Sequence, residues 1–385
     1  IMIKKSVLAV LLGAVCLFMP IVGSHTDANA EAQAAYKAFY SADFYSGTKI
    51  QAEKETEHYP IASMCKIMTL LLCFEAEEEG VLSFDEQICV SERASGMGGS
   101  QVFLEAGAEY PAGELVKSIC IASANDSCVA LAERLAGSEE RFVERMNERA
   151  KQLEMNNTIF VNCTGLPSAG QYSCAKDAAT MLCALMRHKK YFEFSKIWLD
   201  NMQLPDGRVT EMANTNKMIR SYSGCDAGKT GFTNEAGFCL AASAQRGTMR
   251  VVSVVIGAES SKARFEKTKE AFDYAFPNYT NKAVLDANTP LDEKCPVSGG
   301  KKTEMSAKPE RSCYIFCSKS DKDEIFYEIE FEKIKAPVSE NDAVGYITVY
   351  KNNVEADRLR ILANESVNRL SYLDSLRQIA DKWVI

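Results

Sequence analysis

Histidine is scarce in this chain. There are three, His25, His58 and His188, and a Ser-His-Asp hydrolase needs one of them beside its nucleophile. His25 lies in a leader-like N-terminus, and His188 sits in "MRHKKYF", which reads as a solvated basic stretch. His58 has no Gly-x-Ser-x-Gly elbow near it. A serine hydrolase built on this sequence would need another base. Cys-x-x-Cys pairs and Cys/His clusters with metal-ligand spacing are also missing, so neither a metal centre nor a cofactor is expected. Excess positive charge is missing too. The formal net charge is −8, which leaves no footprint for nucleic acid and argues against polyanionic polymers as partners.

What is present is ample core material, with 46% hydrophobic and 25% charged residues in 385. That is enough for two domains. Residues 1–30 read as a secretory signal peptide: Lys4 and Lys5, an apolar run from Val7 to Val22, then Ala28-Asn29-Ala30 as the cleavage site. The run falls short of the ~20 residues of a spanning helix, and Pro20 and Gly23 interrupt it. The 14 cysteines are irregularly spaced, and several lie in apolar patterns where a free thiol acts as a small hydrophobe. Mostly free thiols are expected, with Cys313 and Cys317 the first pair to examine for a bond.

Helical periodicity dominates from Ala62 to about Asp200. "AGELVKSICIASANDSCVALAERLAG" reads as one amphipathic segment ended by Gly137, with the next helix starting at Ser138. Around Arg246-Gly247-Thr248, "GFCLAASAQ" and "MRVVSVVIGAE" read as a hairpin of buried strands, and "SSKARFEKTKEAFDYAF" as a closing helix. Past Pro277 the composition turns polar, and "EIFYEIEFEKI" and "AVGYITVY" alternate as strands. The last segment, 366–385, places Val367, Leu370, Leu373, Leu376 and Trp383 at helical spacing, either packed on the β-rich part or lying on a membrane surface.

Ser-x-x-Lys occurs four times, at Ser46–Lys49, Ser63–Lys66, Ser173–Lys176 and Ser298–Lys301. Only Lys66 runs into a helix apolar on nearly every face, from Ile67 through Phe74. A lysine desolvated there has its pKa pushed down from ~10.4, and the i, i+3 spacing lets it reach Ser63. Ser123-Ala124-Asn125 and Lys229-Thr230-Gly231 follow in order, and Lys-Thr-Gly occurs once.

With these motifs the chain resembles the D-alanyl-D-alanine carboxypeptidases among the low-molecular-mass penicillin-binding proteins. Shared stretches include Pro60-Ile61-Ala62-Ser63, "GGSQVFL" (98–104), "IASANDSCVALAE" (121–133), "NCTGL" (162–166), "KTGFTNEAGFCLAASA" (229–244) and "SKARFE" (261–266). The resemblance implies an α+β fold of the penicillin-binding and β-lactamase-like transpeptidase type. It would comprise a catalytic domain over 31–278, a β-rich domain over 279–365 and an amphipathic membrane-anchor helix over 366–385. It implies attack by Ser63 on a peptidoglycan stem peptide ending in D-Ala-D-Ala, with Lys66 as base and penicillin and other β-lactams as inhibitors. Ser123 and Lys229 would relay the proton, and Asn125 would orient the substrate. Thr230 and Arg264 would bind the terminal carboxylate, Phe232 would lend a backbone N–H to the oxyanion, and Gly231 would leave room for the peptide. It places the protein outside the cytoplasmic membrane. One departure is Asp226-Ala227-Gly228 before Lys229, where Gly228 marks weak packing or a bulge. Rival readings are a class A-like β-lactamase using Glu154 and Asn157, a D,D-endopeptidase, and a non-catalytic cell-wall peptide-binding protein.

Overall fold

The structure is a computed structural model that describes residues 35–372. The expected signal peptide lies outside the described residues, as do positions 373–385 of the expected anchor. Five antiparallel strands form the central sheet, in the spatial order Lys49–Glu53, Ala38–Asp43, Met249–Ala258, Gly237–Arg246 and Cys225–Thr233. The expected hairpin is there, turning through Gly247 at positive φ. A strand covered on both faces must be apolar at nearly every position. Val252, Val254 and Ile256 face the core shared with helices Lys66–Glu78 and Ala175–Leu185. Val251 and Val255 pack on the opposite side, against the closing helix Ser261–Asn278.

Ser138 caps its helix, its Oγ accepting from the Arg141 N–H, and Gly137 ends the preceding helix in the left-handed conformation. The segment before it is not continuous as expected. Helices Ala112–Ile121 and Asn125–Ala136 are separated by Ala122-Ser123-Ala124. The cause is tertiary: the Asn125 backbone N–H donates to Ser100 O at 2.7 Å instead of extending the helical ladder.

The expected irregularity near Gly228 falls two residues earlier. Cys225 pairs with Ala244 but Ala227 with Ser243, so Asp226 is the extra residue of a bulge. Without it, Ala227 and Lys229 would share a face with Cys225. With it, Cys225 packs on the side of the closing helix and Ala227 faces the helical core. Lys229 therefore pairs with Ala241 and points to the same side as Ala227. Arg250, largely buried, holds the Asp226 carboxylate with two bonds of 2.7 and 2.8 Å.

Residues 279–371 build a second, β-rich core from Leu285, Ile315, Val344, Ile347, Leu359 and Ile361. Its main sheet runs Ala307–Pro309, Val354–Ala363, Ala343–Lys351, Ile325–Phe331. Asn281 ties it to the catalytic part, donating to Asp43 Oδ1 at 2.6 Å. The helix expected from Ser366 does not start there. Val367 is buried in this core and exchanges both backbone bonds with Val338, and Leu370 N–H donates to Gly299 O. The 13 cysteines among the described residues are all free. Cys313 and Cys317 lie four apart on one strand, about 13 Å in extended chain, whereas a disulfide needs Cα atoms within ~7 Å.

Removing Asp226 leaves the Arg250 guanidinium buried without its counter-charge. Asp226→Ala is therefore expected to cost about 3 kcal/mol in urea unfolding, against about 1 kcal/mol for the cap variant Ser138→Ala.

Candidate active site

The chain enters the site through Ala62, which takes a positive φ of 48°. A 3-10 turn, Ala62–Cys65, then feeds the helix Lys66–Glu78, so Ser63 stands in the first turn of a helical run. Ile67, Met68, Leu70, Leu71, Cys73 and Phe74 are buried around that helix. Lys66 is buried with them, with 0% of its surface exposed. Its Nζ lies 3.0 Å from Ser63 Oγ and 2.5 Å from the Thr164 carbonyl. No ion pair offsets its charge among the described residues. Burial therefore pulls its pKa below the ordinary lysine value. An amine poised to be neutral beside a hydroxyl at a helix start can take that hydroxyl's proton.

Ser123 and Asn125 sit at the break between two helices. Ser123 holds φ 64°, a conformation that costs about 1–3 kcal/mol in a non-glycine residue. Its Oγ is buried with no hydrogen-bond partner among the described residues. Asn125 Nδ2 donates to Gly98 O at 2.7 Å. Behind it Asp126, fully buried, accepts from the Val102 and Leu104 N–H groups and so fixes the 98–104 loop.

The Lys-Thr-Gly stretch lies on the edge strand Cys225–Thr233. Lys229 is 1% exposed and donates to Thr230 O at 3.3 Å. Desolvation, reinforced by the nearby charge of Lys66, pushes its pKa down to about 7. Gly231 has a role beyond leaving room for a peptide. A Cβ there would come within 2.6 Å of Ile61 O and 3.1 Å of Ser63 N, so glycine brings the strand against the Ser63 turn. Gly165 does the same from the other side, where a Cβ would meet Ala62 O at 2.0 Å.

Thr230 is buried in this strand. Arg264 lies behind it, on the closing helix, and donates to Gly231 O (3.0 Å), Cys239 O (3.1 Å) and Ser261 Oγ (3.3 Å). No carboxylate neutralises Arg264 among the described residues, and burial lowers its pKa to about 10. Phe232 ends the motif, 51% exposed as a residue, with its ring centroid 4.3 Å from that of Phe238.

The structure thus brings Ser63, Lys66, Lys229 and Gly231 together. Arg264 reaches the group through the Gly231 carbonyl, and Asn125 is anchored on the 98–104 loop. Sequence reasoning missed Thr164, Gly98 and Asp126. They lie in stretches shared with the resembled family or beside its motifs, yet two act through backbone carbonyls, which a side-chain pattern does not reveal.

The two histidines among the described residues lie elsewhere. His58 stacks on Tyr172 and contacts Asn157. His188 is buried, not solvated as expected, because its ring packs near Phe74 with Nδ1 2.8 Å from Glu78 Oε1. Glu154 is exposed just past the helix Glu139–Gln152, and Asn157 is engaged by His58 and Asp177. They form no water-activating pair. Among the described residues no group of three His, Cys, Asp or Glu is placed to hold a metal.

The family model for D-alanyl-D-alanine carboxypeptidase matches residues 25–260. This chain belongs to that family. A second model, for the C-terminal domain of penicillin-binding protein 5, matches residues 279–369. The chain is 34% identical to the D-alanyl-D-alanine carboxypeptidase DacF of Bacillus subtilis over 88% of its own length and 87% of that protein. It is 28% identical to DacD of Escherichia coli over 87% of each chain. The crystal structure of DacD from Francisella tularensis superposes with a TM-score of 0.64 at 25% identity, covering 87% of this chain and 94% of that one. The fold is the penicillin-binding, transpeptidase-like α+β fold with the β-rich second part of this family.

Both lysines carry depressed pKa values, so unfolding takes up protons and the folded state loses stability as pH falls. For Lys229 the loss begins near the unfolded value of ~10.5 and is complete below about 7. The Tm difference between wild type and Lys229→Met is expected to shift against wild type from pH 10 to pH 7, then flatten. Melting curves across that range check it.

Proposed function

We propose that this family member removes the terminal D-alanine from peptidoglycan stem pentapeptides through an acyl-enzyme on Ser63. The observation that carries the reading is the 3.0 Å approach of Ser63 Oγ to a lysine amine stripped of water and counter-charge. In the proposed sequence Lys66 takes the Ser63 proton as Oγ bonds to the carbonyl carbon between the two D-alanines. The negative oxygen is held by the backbone N–H groups of Ser63 and Phe232. The tetrahedral intermediate expels the terminal amine, which gains a proton through Ser123 and Lys229. Asn125 aligns the peptide backbone. Arg264, with an uncompensated charge, and Thr230 hold the departing residue's carboxylate. Water then attacks the ester and Ser63 recovers its proton. A β-lactam follows the same first step, but its ring-opened leaving group stays attached, so the adduct persists.

The setting follows from the substrate. The enzyme works on the cell-wall side of the membrane, exported by the segment 1–30 and processed after Ala30. No helix among the described residues is long and apolar enough to cross a membrane. The amphipathic pattern from Leu373 to Trp383 supports attachment to a membrane surface instead, now beginning beyond the extended stretch that ends near Leu370.

Two measurements test these readings. The mature protein should liberate D-alanine from a D-Ala-D-Ala pentapeptide, and Ser63→Ala should lower the rate by at least about 10³-fold. No release, or equal release by the variant, would sink the assignment. Deleting residues 373–385 should free the protein from anionic vesicles with melting unchanged, and unaltered partitioning would refute the anchor.

A further inference from the structure

A second recess lies apart from Ser63 and shares no lining residue with the site described above. Its volume is about 1070 Å³, at the upper limit of the ~300–1,000 Å³ typical of ligand sites. One wall comes from the catalytic part, through Tyr45, Thr48, Arg187 and Lys189. The other comes from the β-rich part, through Arg311 and Tyr314.

Four cations line it, Arg187, Lys189, Arg311 and Lys351, against one carboxylate, Asp357. Arg311 is spent on Asp357 through two bonds, and Lys351 on Asp323 and Phe316 O. Arg187 and Lys189 are exposed and have no carboxylate partner among the described residues. The rings of Tyr45 and Tyr314 meet at 4.7 Å across the junction of the two parts. Neither phenol hydroxyl is hydrogen-bonded among the described residues. Thr48 and Ser312 add hydroxyls to the walls.

An aromatic face suits the C–H face of a sugar ring, the two free phenol hydroxyls suit its hydroxyls, and two cations without a carboxylate partner suit a regularly spaced anion. We infer that this groove binds a glycan strand with free lactyl carboxylates, a stretch of the proposed substrate's own polymer from which the stem peptides have been removed. The inference rests on that reading of Ser63 for its choice of polymer. It also limits the expectation drawn from net charge: the chain is acidic as a whole, but the free charges lining this recess are positive. A flat anionic membrane fits less well, because the cations line a recess between two walls. Holding a stripped stretch here would keep stem peptides on the unstripped sugars of the same strand near the catalytic part of the molecule and raise their effective concentration.

The test uses glycan strands freed of peptide by an amidase, whose lactyl carboxylates are exposed. Chitooligosaccharides of equal length supply the same type of ring without the carboxylate. Binding to the mature protein is measured by calorimetry at low and moderate salt. The strands should bind saturably, more weakly at higher salt, and better than the neutral oligosaccharide. The double variant Arg187→Ala/Lys189→Ala should bind about tenfold less tightly or worse with melting unchanged, Tyr314→Ala should also bind less tightly, and neither should alter D-alanine release from free pentapeptide. No saturable binding by wild type, equal binding by the double variant, or equal affinity for the neutral oligosaccharide would overturn the inference. Absence of pentapeptide hydrolysis by wild type would instead defeat the reading of Ser63, and the strand-binding result would still decide the groove on its own.

Discussion

The structure depends on a lysine placed where lysine is costly. Lys66 has lost its water to the apolar helix Lys66–Glu78 and receives in return one carbonyl, Thr164, and one hydroxyl, Ser63. A charged ammonium there would forfeit several kcal/mol of hydration with no carboxylate to offset it. The protein can carry the group cheaply only near neutrality, and a neutral amine is what a general base must be. Around it the backbone is held by contacts that tolerate no side chain: Gly165 under the Ala62 carbonyl and Gly231 against Ile61 and Ser63. Positive φ at Ala62 and Ser123 belongs to the same constraint. Strain of this kind persists only where its surroundings over-determine it.

A second buried lysine makes the arrangement cooperative. Lys229 comes from the sheet and Lys66 from the helical part, and each disfavours the charged form of the other. The bulge at Asp226, pinned by Arg250, turns Lys229 toward this space. Sheet register, an ion pair on the strand and the ionisation of the site are thus one linked system.

Much of this was legible in the residues. The isolation of Ser63–Lys66 from three other Ser-x-x-Lys matches rested on the apolar run after Lys66, and the structure buries that run as expected. The Gly247 hairpin, the Ser138 cap and the closing helix also follow from local chemistry. What periodicity could not show were features set by distant chain. The helix break at Ser123 arises because Ser100 captures the Asn125 N–H. The extended stretch at Val367 arises because Val338 offers it an edge, where spacing alone read a helix. His188 looked solvated among basic neighbours, but its ring is covered by Phe74. The position of the bulge depended on strand pairing, which glycine content near Gly228 only hinted at.

Activation of Ser63 by Lys66 requires that burial lower the lysine's pKa. The pH dependence of the rate at which penicillin acylates Ser63 addresses it most directly, because acylation isolates the first proton transfer from the later hydrolysis. The rate should rise with pH through an ionisation well below the ordinary lysine value of ~10.4, and that rise should vanish with the activity in Lys66→Ala. A rise centred near the ordinary lysine value, or acylation of Lys66→Ala at the wild-type rate, would contradict the account.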